Sequence, residues 1–76
     1  MEIKYSKAAV KFIKKQNKSS QNRIIDAIEK IPAGDIVKLQ GITGYRLRVG
    51  NYRIIFDFSG NIIDIIDIDN RGQAYK

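Results

Sequence analysis

Apolar and polar positions follow two different periods along this chain, and the switch between them divides it. Residues 2–5 (Glu-Ile-Lys-Tyr) alternate, which predicts a short strand. Ser6 is placed to cap the segment that follows. Over residues 7–17, Ala9, Phe12 and Ile13 fall on one side at helical spacing. Ser19 and Ser20 are expected to break that helix and cap a second. Residues 21–31 set Ile24, Ala27, Ile28 and Ile31 on one face, with Asp26 and Lys30 as a favourable i,i+4 pair. Pro32 stops this helix, and Ala33-Gly34-Asp35 turns the chain. Residues 36–44 have no clear period and read as a connecting loop that tucks in Leu39.

The period then returns to two. Residues 45–49 (Tyr-Arg-Leu-Arg-Val) predict a strand, and Gly50-Asn51 suits a two-residue turn of type I′ or II′. Residues 52–58 return as a second strand, Ser59-Gly60-Asn61 turns again, and residues 62–68 form an isoleucine-rich third. The predicted order is β-α-α-β-β-β in one domain spanning residues 1–76. The fold class is α+β: an antiparallel sheet with a two-helix hairpin on one face. A lone three-stranded meander could not bury its Ile and Phe side chains, so the hairpin must cover it.

The tight turn fixes a register. It pairs Val49 with Tyr52, Arg48 with Arg53, Leu47 with Ile54, and Arg46 with Ile55. Tyr45, Leu47, Val49, Tyr52, Ile54, Phe56 and Phe58 then share the apolar face, and Arg46, Arg48 and Arg53 share the other. Like charges directly opposite one another on paired strands cost roughly 0.2–1 kcal/mol. Three arginines gathered at that cost read as an anion site, because the guanidinium fork matches phosphate oxygens. The alternative is that they are solvated, or paired to Asp57 and Asp64, which fall on the same face.

Composition narrows the chemistry. The 76 residues include no Cys and no His, which removes disulfides, thiol catalysis, Cys/His zinc sites and Ser-His nucleophiles. No apolar run exceeds three residues, so no segment can span a bilayer, and the opening residues lack a signal-peptide core. A cytoplasmic protein with no membrane partner is expected. The net charge of +6 points to an anionic partner. It is concentrated early: residues 1–31 hold eight basic and three acidic side chains. Lys7, Lys11, Lys14 and Lys18 fall within roughly 60° of one another on a helical wheel, a stripe opposite the apolar face. It is either a nucleic-acid backbone contact or an ordinary solvated surface. Asp64, Asp67 and Asp69 are a weak metal candidate: strict alternation points Asp64 and Asp67 to opposite faces. A solvated acidic edge that discourages aggregation is expected instead. Arg71 and Tyr75 in the tail are, on their own, one basic residue and one aromatic near a terminus.

Several stretches carry a family resemblance. They are Tyr5-Ser-Lys-Ala-Ala-Val-Lys-Phe-Ile-Lys-Lys, Arg23-Ile-Ile-Asp-Ala-Ile and Lys38-Leu-Gln-Gly, then Gly44-Tyr-Arg-Leu-Arg-Val-Gly-Asn-Tyr-Arg-Ile-Ile-Phe and Ile68-Asp-Asn-Arg-Gly-Gln-Ala-Tyr75. In this order they resemble the RelE/ParE superfamily of bacterial type II toxins. The resemblance covers essentially the whole chain. It implies a RelE-like fold and, by the RelE branch, a ribosome-dependent endoribonuclease that cleaves messenger RNA in the A site. It implies a cognate antitoxin that wraps the toxin, and contact with operator DNA only through that complex. No cofactor or metal is implied.

By the same resemblance, Arg46 and Arg48 take positions of basic residues that contact the scissile phosphate. Arg53 matches an arginine that stabilises charge on it, Arg71 a basic residue near the leaving oxygen, and Tyr75 a C-terminal tyrosine that stacks on or orients a base. Lys7, Lys11, Lys14, Lys18 and Lys38 would hold RNA or ribosome backbone. The chain departs from the pattern at Asn70, where many members have His, and in using Arg where Lys is common at the paired positions. The alternatives are a ParE-like gyrase inhibitor and a degenerate member that binds without cleaving.

Overall fold

The computed structural model, which describes residues 2–41 and 44–70, lays a helical hairpin across one face of a five-stranded sheet. The elements are β1 (Glu2–Tyr5), α1 (Lys7–Lys14), α2 (Lys18–Glu29), β2 (Asp35–Lys38), β3 (Tyr45–Val49), β4 (Tyr52–Ser59) and β5 (Ile62–Asp69). Their order across the sheet is β1-β5-β4-β3-β2. Helix α1 packs on β5 and α2 on β3.

Two expectations need correction. The sheet is mixed rather than antiparallel, because β1 joins β5 in parallel, with Ile3 beside Ile63 and Tyr5 beside Ile65. Strand β5 buries Ile63, Ile65 and Ile68 and is an interior strand only because β1 covers its outer edge. The stretch read as a loop also contains a strand: β2 pairs antiparallel with β3, setting Asp35 against Arg48 and Val37 against Arg46. Four residues at a sheet edge, with only Ile36 turned toward the core, are too few to show a period. Leu39, just beyond, is half-buried.

The helix boundaries also shift. Ser6 caps α1 as expected, its hydroxyl accepting from the Ala9 amide at 3.0 Å. Helix α1 ends at Lys14, and Asn17 caps α2 by accepting from the Ser20 amide at 2.8 Å. Ser19 and Ser20 therefore lie in the first turn of α2, and Lys18 opens α2 instead of extending the α1 stripe. The asparagine oxygen is as good a cap as either serine, and it comes first in the chain.

On the helices and the β3–β4 hairpin the core follows the predicted faces: Ala9, Ile24, Ile28, Ile31, Leu47, Ile54 and Phe56 are buried, together with Ile63, Ile65 and Ile68 of β5. Phe58, expected on the apolar face, is exposed near the end of β4. Tyr45, Phe56 and Phe58 form an aromatic cluster with ring centroids 5.4–5.6 Å apart. The β3–β4 hairpin has the register given by its two-residue turn, Arg48 opposite Arg53 included. Gly50 has φ +59° and no non-glycine residue has a positive φ among those described, so the turn is of the II′ kind.

The β4–β5 hairpin contains a bulge. Ile55 pairs with Asp67 and Phe56 with Ile65, so Ile66 is an extra residue. Its carbonyl accepts the Ser6 hydroxyl at 2.7 Å. The bulge resets the alternation: Asp64, Asp67 and Asp69 share one face with Asp57, Ile55 and Arg53. The expectation that Asp64 and Asp67 diverge is therefore wrong. Even so, no group of carboxylates among the described residues is arranged to hold a metal ion.

Candidate functional site

Among the described residues no helix or strand covers the other face of the sheet, and the pairing arranges its charges in rows. One row reads Asp35, Arg48, Arg53, Asp69 across β2, β3, β4 and β5. The next reads Val37, Arg46, Ile55, Asp67. Farther along, Asp57 faces Asp64 directly, with Lys4 beside Asp64 on β1. Near the Gly50 turn the face thus sets three arginines on its two middle strands between aspartates on the flanking ones, and the other end is acidic.

The two opposed arginines each lean on one carboxylate. Arg48 Nε lies 3.8 Å from Asp35 Oδ2, and Arg53 Nε lies 3.9 Å from Asp69 Oδ1. Neither pair is a hydrogen bond, since such bonds close to about 2.9 Å. The Arg48 pair is well over half exposed on both sides, so water screens it to roughly 0–1 kcal/mol. The expected partners Asp57 and Asp64 oppose each other instead, and the partners observed sit at the two ends of the arginine row.

Arg46 is different. Its row neighbours are a valine and an isoleucine, and its Nε is buried with no hydrogen-bond partner among the described residues. Arg53 Nε is buried without a hydrogen bond as well, and so is the Asn70 side-chain oxygen. A buried donor left unsatisfied costs roughly 1–3 kcal/mol. Two such guanidinium donors on one open face form a place where an anion recovers that cost. Phosphate oxygens have the charge and the spacing to do so.

The lysines lie elsewhere. Lys7, Lys11 and Lys14 are exposed on α1, in the layer that covers the opposite side of the sheet. With Tyr5 and Val10 they line a cavity of about 300 Å³. Burial, and then the charge of Glu29, push the Tyr5 phenol above its ordinary value of 10.0, so it stays protonated. Lys18 is exposed at the start of α2. Lys38 pairs with Tyr45 and so belongs to the helix-covered side of β2. None of the five stands on the arginine face. Arg71 and Tyr75 lie outside the described residues.

The sequence reading missed Asp35 and Asp69 as arginine partners. The β-branched pair Ile36-Val37 between a turn and a lysine was the available signal for β2. Nothing short of the pairing itself could have shown Asp69 beside Arg53. No helix among the described residues is long and apolar enough to cross a membrane.

A two-layer α+β domain with an open, arginine-bearing sheet face is the class that fold and face define. Among solved structures, the chain is similar to the RelB–RelE antitoxin–toxin complex of Methanococcus jannaschii (30% identity, TM-score 0.75, 93% of each chain covered). It is similar to the archaeal RelE–RelB complex of Pyrococcus horikoshii OT3 (28% identity, TM-score 0.74, 95% of this chain and 96% of that one). The YoeB dimer of Staphylococcus aureus shares the fold at 22% identity and TM-score 0.70, over 88% of this chain and 92% of that one. No protein-family model and no curated protein sequence matches the chain. The chain belongs to the RelE family of toxin–antitoxin toxins. One similar toxin is archaeal, so the likeness does not confine the chain to bacteria.

Proposed function

We propose that this toxin cleaves messenger RNA in the ribosomal A site and is held inactive by a cognate antitoxin. The observation that carries the reading is the open sheet face with Arg46, Arg48 and Arg53, two of whose Nε donors are buried without hydrogen bonds. The complexes from Pyrococcus horikoshii and Methanococcus jannaschii each pair a RelE with a RelB, which supports an antitoxin partner. Action in the cytoplasm, where ribosomes are, follows.

In the reaction, a ribose 2′-oxygen attacks the adjacent phosphorus and the bond to the 5′-oxygen breaks. The products are a 2′,3′-cyclic phosphate and a 5′-hydroxyl. The 2′-hydroxyl proton leaves to a base, and one proton is delivered to the 5′-oxygen. Arg46 and Arg48 hold the non-bridging oxygens, and Arg53 meets the charge that grows on them. Fixed cations aimed at developing charge are worth about a hundred- to a thousandfold each in rate. Arg71 takes the position near the leaving oxygen, and Tyr75 stacks on or orients a base. Arginine stays protonated, so it stabilises charge and moves no proton. Asn70 cannot shuttle one either. Proton transfer therefore falls to Tyr75 or to groups of the ribosome.

The test is controlled induction without antitoxin, followed by mapping of messenger 5′ ends. New ends within codons of translated messages, lost in the Arg53→Ala, Arg71→Ala double variant, are expected. Ends that persist in that variant would refute the site. Growth arrest with DNA-damage signalling and no new ends would move the reading to gyrase inhibition. No arrest at all would favour a member that binds without cleaving, the outcome to which Asn70 lends weight.

A further inference from the structure

We infer that Gln16 and Arg23 are positioning residues for the arginine face: from the helical layer they pin the tip of the β3–β4 hairpin, and with it the strand ends that carry Arg48 and Arg53. The catalytic use of this pinning rests on the function proposed above; the pinning itself does not.

The need for it comes from where the arginines stand. Arg48 and Arg53 oppose each other next to Val49 and Tyr52, the pair that closes the Gly50-Asn51 turn. Like charges opposed there push the two strands apart. The neighbouring strands give the tip no support. Strand β2 pairs with β3 only as far as Arg48, and β5 with β4 only as far as Arg53. The segment from Val49 to Tyr52 therefore overhangs both flanking strands.

The helical layer reaches this overhang at two points. Tyr52 donates its hydroxyl to Gln16 Oε1 at 3.2 Å, and its ring meets Phe12 edge-on with centroids 5.9 Å apart. Gln16 is itself held, since its Nε2 donates to the Phe12 carbonyl at 3.3 Å and its own carbonyl accepts from Gln21 Nε2 at 3.0 Å. At the turn, the Arg23 guanidinium lies over Gly50, where a Cβ would stand 2.8 Å from Nη2 and 3.1 Å from Cζ. Among the described residues Arg23 has no ion pair and no hydrogen bond, so this flat contact is what places it.

Alternation carries the effect to the open face. Tyr52 points to the helices and Arg53 away from them, so holding the first fixes the backbone from which the second projects. Cations stabilise a developing charge best when they are already in place, and displacement by about 1 Å can cost roughly a hundredfold in rate.

The test uses the full chain and two measurements. One is cleavage of ribosome-bound message, resolved into kcat and KM. The other is the NMR signals of the Nε–H groups of Arg48 and Arg53. Tyr52→Phe removes one oxygen and keeps the ring. It should lower kcat about tenfold at unchanged KM, and move both arginine signals toward the position of a free arginine. Gln16→Ala should do the same, and the double variant should match it, because the same hydrogen bond is broken. Arg23→Ala should lower kcat further. Arg23→Lys should not restore it, since an ammonium keeps the charge and loses the flat contact. Ile28→Val trims the core and should lower the thermal midpoint while moving neither kcat nor the arginine signals. A rise in KM at constant kcat, or wild-type kinetics in Arg23→Lys, would make these groups RNA contacts and overturn the positioning role. Unchanged kcat and signals in Tyr52→Phe and Gln16→Ala would overturn it too, as would Ile28→Val behaving as they do. A wild-type chain that cleaves nothing fails the ribonuclease reading alone, and the arginine signals then decide the pinning.

Discussion

Arg48 and Arg53 face each other across two paired strands, and each has a loose carboxylate on its far side. The opposition costs roughly 0.2–1 kcal/mol, while the exposed Arg48–Asp35 pair returns roughly 0–1 kcal/mol. The two terms nearly cancel, so nothing in the fold requires arginine at position 48. Arg48→Ala should therefore leave the thermal midpoint unchanged or slightly raised. Cleavage of ribosome-bound message should fall by about a hundredfold or more if Arg48 grips the phosphate. A clear loss of stability with cleavage retained would return Arg48 to a structural role. The pair itself was legible in the sequence, because a glycine-containing two-residue turn leaves the hairpin a single register. The flanking carboxylates were not legible. Asp35 becomes a neighbour only through the unforeseen strand β2, and Asp69 only through pairing with a strand that carries an extra residue.

At the scale of elements, that extra residue decides which way β5 faces. Side chains on a strand alternate with period two, so one added residue exchanges the faces of everything beyond it. Ile66 makes this exchange between Ile65 and Asp67: Ile68 is buried in the core and Asp69 is set beside Arg53. Ser6 holds the bulge, donating its hydroxyl to the Ile66 carbonyl while capping α1. Deleting Ile66 removes the extra residue and leaves Asp64-Ile65-Asp67-Ile68-Asp69 in regular alternation, with Ile68 still toward the core and Asp69 still beside Arg53. The deletion gives up the Ser6 hydrogen bond to the Ile66 carbonyl, worth roughly 0.5–1.5 kcal/mol. The variant should therefore keep a cooperative thermal transition, at a lower midpoint, and its dispersed amide spectrum. A deletion variant that fails to fold would show that the bulge itself is needed to join β5 to the start of α1. The sequence does carry the mark of the bulge, since Ile-Ile-Asp-Ile-Ile-Asp-Ile repeats every three residues where a regular strand would repeat every two. A three-residue repeat in a strand is satisfied by a bulge, but the repeat alone does not say where the bulge falls.

For the whole molecule, the charge proves to be divided between two sides of one sheet. The net +6 and its concentration in residues 1–31 can be counted in the sequence. That the lysines of α1 and the arginines of β3 and β4 look in opposite directions follows only from where the helices pack. A short single-stranded RNA on the arginine face touches phosphates through Arg46, Arg48 and Arg53. Counterion release then gives a log–log salt slope of about −2, from roughly 0.7 per phosphate. A triple Lys7→Gln, Lys11→Gln, Lys14→Gln variant should keep that slope, because its missing charges lie behind the sheet. The same variant should bind ribosomes more weakly and with a shallower salt dependence if the lysine side rests on ribosomal RNA. Filter binding of a short RNA and sedimentation with ribosomes, each across a salt series, measure the two slopes. A short-RNA slope that falls with the lysines would mean that RNA runs over the helices, and the sheet face would lose its claim to the phosphate.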